Sequence, residues 1–214
     1  MNKRKLLGYF VKTIRLNQYQ YNHSVDVKNS HANIVPHGYQ FRQLNGNDLK
    51  KNNIFLEKNR ITRYCQHIKN GHRCYAFVSP EQSVVAYFWL TIGKKNGPIQ
   101  NPAFKYFDWL IHHNEAYIWD CRTVPAYRQQ GFYRKGLQKL AYFCLQKKIN
   151  KIMISCDPNN LPSHLGILSA GFEWKGKTTV IKTKFFKAIR CHPRKTIFLP
   201  PSSPVTSEDV FPWI

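Results

Sequence analysis

The sequence predicts a mixed α/β fold, a central sheet flanked by helices, and three stretches predict it. From Tyr117 to Lys148 a strand-like start leads through a short loop into a helical pattern. Tyr117, Ile118 and Trp119 suit a pleated, partly buried surface, and Pro125 has no amide hydrogen to give to a ladder. After Gly131, Leu137, Leu140, Ala141, Cys144 and Leu145 recur at the i, i+3, i+4, i+7, i+8 spacing of one helical face. Arg134, Lys135, Lys139, Lys147 and Lys148 fall mostly off that stripe, which makes the outer face cationic. Second, Cys74–Val78 and Val84–Thr91 are strand-like runs joined by Ser79-Pro80-Glu81-Gln82, a hairpin signal. Third, Ile152-Met153-Ile154 is a short apolar run that reads as a buried strand.

Taken in order, Lys3 to Leu16 places Leu6, Leu7, Phe10, Val11 and Ile14 on one face of a helix, with Lys5, Lys12 and Arg15 elsewhere. The apolar run is too short for a transmembrane span and too charged for a signal peptide. It reads either as a helix lying on an anionic membrane surface or as an arm packed on its own domain. Asn17 to His37 is polar and aperiodic, a connector. Tyr39 and Phe41 alternate with Gln40 and Arg42 as a first strand. Asn47 or Asp48 caps a helix running to about Lys58, and Ile61 to Ile68 forms another. Gly93 to Pro102 is loop. Ala103 to His113, dense in aromatics, is core packing or a wall of an acceptor pocket. Asp157 or Asn159 caps a helix near Leu161 to Ser169, which Gly171 stops. Phe172 to Phe186 carries two strand-like runs around Lys175-Gly176-Lys177. The expected division is an arm and connector over 1–36, a domain over 37–187 and an extension over 188–214.

A chain of 214 residues suits one domain with extensions. Hydrophobic content of 43% and five tryptophans argue for a globular protein, and a formal charge of +22 reads either as suited to anionic partners (phosphates, nucleic acid or an acidic membrane) or as a solubilising surface. The six cysteines, Cys65, Cys74, Cys121, Cys144, Cys156 and Cys191, have no C-x-x-C spacing. They read as small core residues in a reducing compartment, the cytoplasm. The histidines, His112-His113 included, form no metal motif, and no metal is expected.

A strand, a glycine-bearing loop and a helix start together make an anion site. The first amides of a helix lack intrahelical acceptors and their dipoles point outward. Gly131 lets backbone approach a phosphate closely, and Arg128 adds a fork of donors. The competing reading is an ordinary turn with surface cations. Arg128-Gln129-Gln130-Gly131-Phe132-Tyr133 resembles the R/Q-x-x-G-x-G/A loop of the GNAT superfamily of acetyl-coenzyme A-dependent N-acetyltransferases. Thr123-Val124-Pro125-Ala126-Tyr127 resembles its V-x-P-x-Y lead-in, and Asn160-Leu161-Pro162-Ser163 with Gly171-Phe172 its N-x-x-A/S…G-F segment. Two positions depart from the pattern. Tyr133 stands for Gly or Ala, and Ile167 stands where many members have a tyrosine acid.

The resemblance implies a mostly antiparallel sheet with a splayed strand pair that holds acetyl-coenzyme A. Cys121, Arg122 and Thr123 would hydrogen-bond the pantetheine arm through the backbone, with one amide there facing the oxyanion. Arg128, Gln129, Gln130, Gly131, Phe132 and Tyr133 would cradle the pyrophosphate, and Asn160 and Ser163 would contact the pantetheine or adenylate side. For the base, Glu115 shares a strand face with Tyr117, Trp119 and Cys121 by period two, whereas Asp120 falls on the other. Both carboxylates stay candidates. An amine of pKa near 8 is about a tenth neutral at pH 7, while a lysine amine needs roughly 4 to 5 kcal/mol for deprotonation. A low-pKa acceptor is therefore the easier one, such as an amino sugar of an envelope precursor. A tRNA or ribosomal-protein acceptor suits the charge equally, and a non-catalytic binding protein on the same scaffold is the alternative from another class.

Overall fold

Nine strands hydrogen-bond into one sheet in the computed structural model, which describes residues 12–22, 35–52, 58–103, 109–182, 187–192, 195–199 and 202. In chain order the elements are β1 (Lys12–Tyr21), β2 (Gln40–Leu44), α1 (Gly46–Lys51), α2 (Lys58–Lys69), β3 (Arg73–Val78), β4 (Val84–Ile92), β5 (Ile99–Gln100), β6 (Leu110–Ile111) and β7 (Glu115–Thr123). There follow α3 (Phe132–Gln146), β8 (Lys151–Cys156), α4 (Leu161–Ser169), β9 (Phe172–Lys182), β10 (Lys187–His192) and β11 (Lys195–Leu199). The sheet order is β11-β10-β9-β1-β8-β7-β4-β3-β2, with β5 and β6 as a separate ribbon. Among the described residues only β7 and β8 pair in parallel, because α3 carries the chain back across the sheet between them. The mostly antiparallel sheet flanked by helices matches the expected fold class.

Each face of the sheet carries its own core. On one face, Leu49 of α1 and Tyr64 of α2 pack with Tyr87, Trp89, Tyr117 and Trp119. On the other, Leu137, Leu140, Ala141 and Cys144 of α3, together with Ile167 of α4, pack on Phe88, Ile118 and Ile154. The apolar stripe read for α3 is the buried one, save that Leu145 is only partly covered. Gly136 sits where α3 crosses β4. A Cβ there would fall 2.1 Å from the ring of Phe88, so the helix approaches the sheet only because the side chain is missing.

Several expectations need correction. From Lys12 onward the arm is a strand, not a helix, and it lies between β8 and β9 rather than outside the sheet. Its polar content hides this: Asn17 and Gln18 are buried in mid-strand, so no apolar alternation shows, and pairing on both edges decides the conformation. Tyr19 and Tyr21, within the supposed connector, are core residues of the α3 face. Leu6, Leu7, Phe10 and Val11 lie outside the described residues. Strands β10 and β11, in the expected extension, continue the same sheet past β9.

Helix α1 ends at Lys51 and is capped by Asn45, whose side chain accepts from the Asn47 and Asp48 amides while Asp48 reaches back to the Asn45 amide. Helix α4 is capped by Asn160. The two runs around Lys175-Gly176-Lys177 are one strand with a bulge: Gly176 has φ +144°, and the register with β1 shifts between Gln18 and Tyr19. Of the aromatic stretch, residues 104–108 lie outside the described residues; Trp109 packs its ring 4.9 Å from that of Tyr117 and Ile111 is fully buried, so these two are core residues.

The Gly136 contact predicts that Gly136→Ala overpacks the α3–β4 crossing and costs about 1–3 kcal/mol. In a chain of this size that is roughly 2–4 °C of Tm per kcal/mol. Thermal unfolding of G136A and of G136A with Phe88→Leu checks it; the second change removes the opposing ring atoms and recovers part of the loss.

Candidate active site

Strands β7 and β8 part company halfway along. Their parallel pairing runs from Glu115↔Lys151 to Ile118↔Ile154 and stops, after which β7 follows β4 and β8 follows β1. The divergence coincides with a β-bulge. Pairs Trp89↔Trp119 and Tyr87↔Arg122 leave Asp120 and Cys121 together opposite Phe88, and Asp120 takes a left-handed φ of +43°. The extra residue breaks the period of two. Asp120 joins Trp119 on the α2 face, while Cys121 packs on the α3 face. The alternation expected from sequence thus holds to Trp119 and inverts at the bulge.

A groove of about 1020 Å³ opens at this parting. Its floor is the end of β7: Cys121, Arg122 and Thr123. Thr123 Oγ1 is buried without a hydrogen-bond partner. The chain then turns through a short 3-10 stretch, Pro125–Tyr127, where Pro125 closes the strand. Gln129 at φ +62° and Gly131 at φ +79° twist the backbone into a concave run of amides. Gly131 is the N-cap of α3 and offers no side chain to it, which leaves the first helix amides open toward the groove. Arg128 donates from Nε to the Thr123 carbonyl at 3.4 Å, and Gln130 Nε2 to the Ala126 carbonyl at 3.1 Å. Arg134 and Lys135 add cationic charge along the rim. Asn160 Oδ1 accepts from the Ser163 amide at 3.2 Å, and both residues form the α4 side.

The structure therefore brings together Cys121, Arg122, Thr123, Arg128, Gln129, Gln130, Gly131, Phe132, Tyr133, Asn160 and Ser163. The carboxylates separate. Asp120 sits at the parting, and its carboxylate accepts hydrogen bonds from the hydroxyls of Tyr64 and Tyr87. Burial, with Asp120 beside it, raises the Tyr64 phenol and pushes Tyr87 up to about 12, so both stay protonated donors. Glu115 begins the strand, about 16 Å away at 3.3 Å per residue. It pairs with Lys151 at 3.4 Å and accepts from the His112 amide, so it holds the far end of the sheet. Ile167 is fully buried in the core.

Sequence reasoning missed Tyr64 and Tyr87, since pairing across 56 and 33 residues leaves no local trace. It also missed Gly166, whose Cβ would fall 2.6 Å from Tyr133 Cδ1. A glycine inside a helical pattern was the available signal. Among the described residues no group of three metal-ligating side chains forms, and no helix is long and apolar enough to cross a membrane.

Among the described residues, the sheet parts at its parallel pair, and the open start of α3 lies across the parting. The chain belongs to the acetyltransferase (GNAT) family, whose model matches residues 42–171. Similar solved structures include a GNAT-family acetyltransferase from Colwellia psychrerythraea, 13% identical with a TM-score of 0.53 over 80% of this chain and 56% of that one. A Drosophila protein is 12% identical with a TM-score of 0.55 over 91% of this chain and 53% of the other. The chain thus spans about half the length of these two structures. No curated protein matches the sequence.

Behind Asp120, His72 is buried under α2, with Nδ1 2.9 Å from Thr91 Oγ1 and its ring edge-on to Trp119. Burial holds its pKa down at about 4, from an ordinary 6.5. A folded pKa below the unfolded one means that the unfolded chain binds the proton first as pH falls. The stabilisation is complete above 6.5 and is lost between 6.5 and about 4. Urea midpoints measured across that window should fall for the wild type, and His72→Gln should flatten the slope.

Proposed function

We propose that this protein is an N-acetyltransferase that binds acetyl-coenzyme A in the groove and passes the acetyl group directly to a primary amine. The observation that carries the reading is the meeting of the unpaired end of β7 with the open start of α3. The residues fit the donor. Backbone groups of Cys121 to Thr123, left without a parallel partner, suit the amides of the pantetheine arm. The amides from Gln129 to Tyr133, with Arg128, Arg134 and Lys135, suit a pyrophosphate. Asn160 and Ser163 close the α4 side. Bound acetyl-coenzyme A supplies an activated thioester.

The chain's own groups do the rest. Asp120, oriented by two phenols, draws the cationic amine to the α2 face of the parting and takes its proton. A backbone amide between Cys121 and Thr123 donates toward the carbonyl oxygen, where negative charge develops. Burial keeps the Cys121 thiol well up and protonated, which favours direct attack by the amine over an acyl-cysteine. Holding the two reactants in place supplies much of the remaining rate.

The acceptor we favour is a low-pKa amine, an amino sugar of an anionic envelope precursor, modified in the cytoplasm, where the six free cysteines stay reduced. The basic surface suits a peripheral contact with an anionic membrane, although β1 removes the part of the argument that rested on an amphipathic helix reaching Leu16. The +22 charge also favours a second reading, an acceptor carried on tRNA or a ribosomal protein.

Calorimetry with acetyl-coenzyme A, then thiol release across a panel of amino sugars, α-amines and aminoacyl-tRNA, tests the reading. Gly131→Asp puts a carboxylate at the helix start and should weaken donor binding more than about tenfold, a loss of some 1.4 kcal/mol. Undiminished affinity in that variant removes the site assignment. Asp120→Asn should lower kcat about 100-fold and leave donor affinity intact. Donor binding without thiol release from any amine would instead mark a binding protein. For the nucleic-acid reading, affinity for tRNA should saturate and fall steeply with salt; association that never saturates removes it.

A further inference from the structure

Asp120 takes the amine's proton in the reading above, and what surrounds that carboxylate decides which amines reach it. Asp120 is exposed at the parting. Its carboxylate is held by the hydroxyls of Tyr64 and Tyr87, which stand 3.3 Å from each other. Among the described residues no cation pairs with it.

Two guanidinium groups nevertheless stand beside it. Past the bulge, Arg122 is the Cα partner of Tyr87, and ladder partners share a face of the sheet. Tyr87 belongs to the α2 core. The Arg122 side chain therefore leaves the strand on the α2 face, two residues and about 7 Å beyond Asp120. Arg63 of α2 lies over the ring of Tyr64, its Cζ 5.6 Å from the centroid, and that same phenol donates to Asp120. Both arginines are exposed, and neither is in an ion pair among the described residues. Helix α2 itself, KNRITRYCQHIK, carries no carboxylate to offset them. The charge is felt at the site: burial and then Asp120 raise the Tyr87 phenol, and Arg122 works against them.

A bare ammonium arriving at Asp120 meets one negative charge and two positive ones. Like charges repel a cation and favour the neutral form of an amine. An acceptor with negative charge of its own turns the two arginines from a barrier into a clamp. We propose that Arg63 and Arg122 select the acceptor: an amine with a phosphate or carboxylate group a few bonds away, whose oxygens the two guanidinium groups take while the nitrogen sits at Asp120. Both anions present the pair of oxygens that a guanidinium fork fits. The inference rests on the acetyl-transfer reading and narrows it, since a neutral amino sugar lacks the group that the arginines bind. It also gives the basic composition a local use, because two of the 33 lysines and arginines then stand where the amine is chosen.

The test measures thiol release by the full chain with paired acceptors. Glucosamine against glucosamine 6-phosphate reads a phosphate source, and glycylglycinamide against glycylglycine reads a carboxylate source. In at least one pair the anionic member should have a kcat/KM about ten- to 100-fold above its neutral partner, mostly through KM. Arg63→Gln and Arg122→Gln should each cut that preference about tenfold, through KM more than through kcat. Arg63→Lys should keep part of it, as a point charge without the fork. An unchanged Tm and an unchanged calorimetric affinity for acetyl-coenzyme A in R63Q show that fold and donor site are intact. Equal kcat/KM within both pairs, or a preference that survives both glutamine variants, overturns the proposal and leaves acetyl transfer standing. Turnover of aminoacyl-tRNA alone also overturns it, because the acceptor is then chosen by a larger surface. A wild type that binds no acetyl-coenzyme A, or releases no thiol with any amine, refutes the acetyl-transfer reading and the inference with it.

Discussion

Everything at the functional end of this protein depends on one extra residue in one strand. Asp120 and Cys121 share the place opposite Phe88, and the left-handed turn at Asp120 re-aims both side chains. The same irregularity marks where β7 leaves β8, so the sheet opens without losing its other ladders. A regular β7 would keep its parallel partner to the end, close the opening and turn Asp120 toward α3. The strained backbone is held from outside: buried Tyr64 and Tyr87 bond its carboxylate, and β4 pairs on either side of the bulge.

Two glycines set how closely the helices frame the opening. Gly136 lets α3 lie against Phe88, which brings the start of α3 down over the end of β7. Gly166 lets the Tyr133 ring lie between α3 and α4. In both cases an aromatic ring fills the space a side chain would need, so the rigidity of the rings is passed to the backbone around the groove. The anion-binding character then needs little more than geometry. Helix-start amides with no side-chain cap point into an opening rimmed by Arg128, Arg134 and Lys135.

The two faces of the sheet do different work at the parting. The α3 face carries the open amides, the cations and the Tyr133 phenol. The α2 face carries a carboxylate held by two phenols, over a floor of Trp119, Trp89 and His72. The cationic groove and the carboxylate therefore lie on opposite faces of the sheet, and β7 is the boundary between them. Glu115 shows the same strand doing structural work at its other end, where its ion pair with Lys151 ties β7 to β8 while the two are still partners.

Local chemistry was enough for much of this. The hairpin of β3 and β4, the buried β8, the stripe of α3 and the loop from Arg128 to Gly131 all rest on short-range signals, namely periodicity, proline, glycine and a helix start, and these are written in neighbouring residues. The resemblance to the family rested on the same kind of signal, short motifs such as Arg128 to Tyr133 that are local objects. What only the tertiary structure decided lies wherever distant residues set the outcome. The Lys12–Tyr21 segment is a strand because β8 and β9 pair with it, against a helical apolar spacing and with Asn17 and Gln18 at its centre. The phase of Asp120 depends on a bulge that is defined only by its partner strand. The roles of Tyr64, Tyr87 and Gly166 exist only as contacts, and a contact across dozens of residues has no period to betray it.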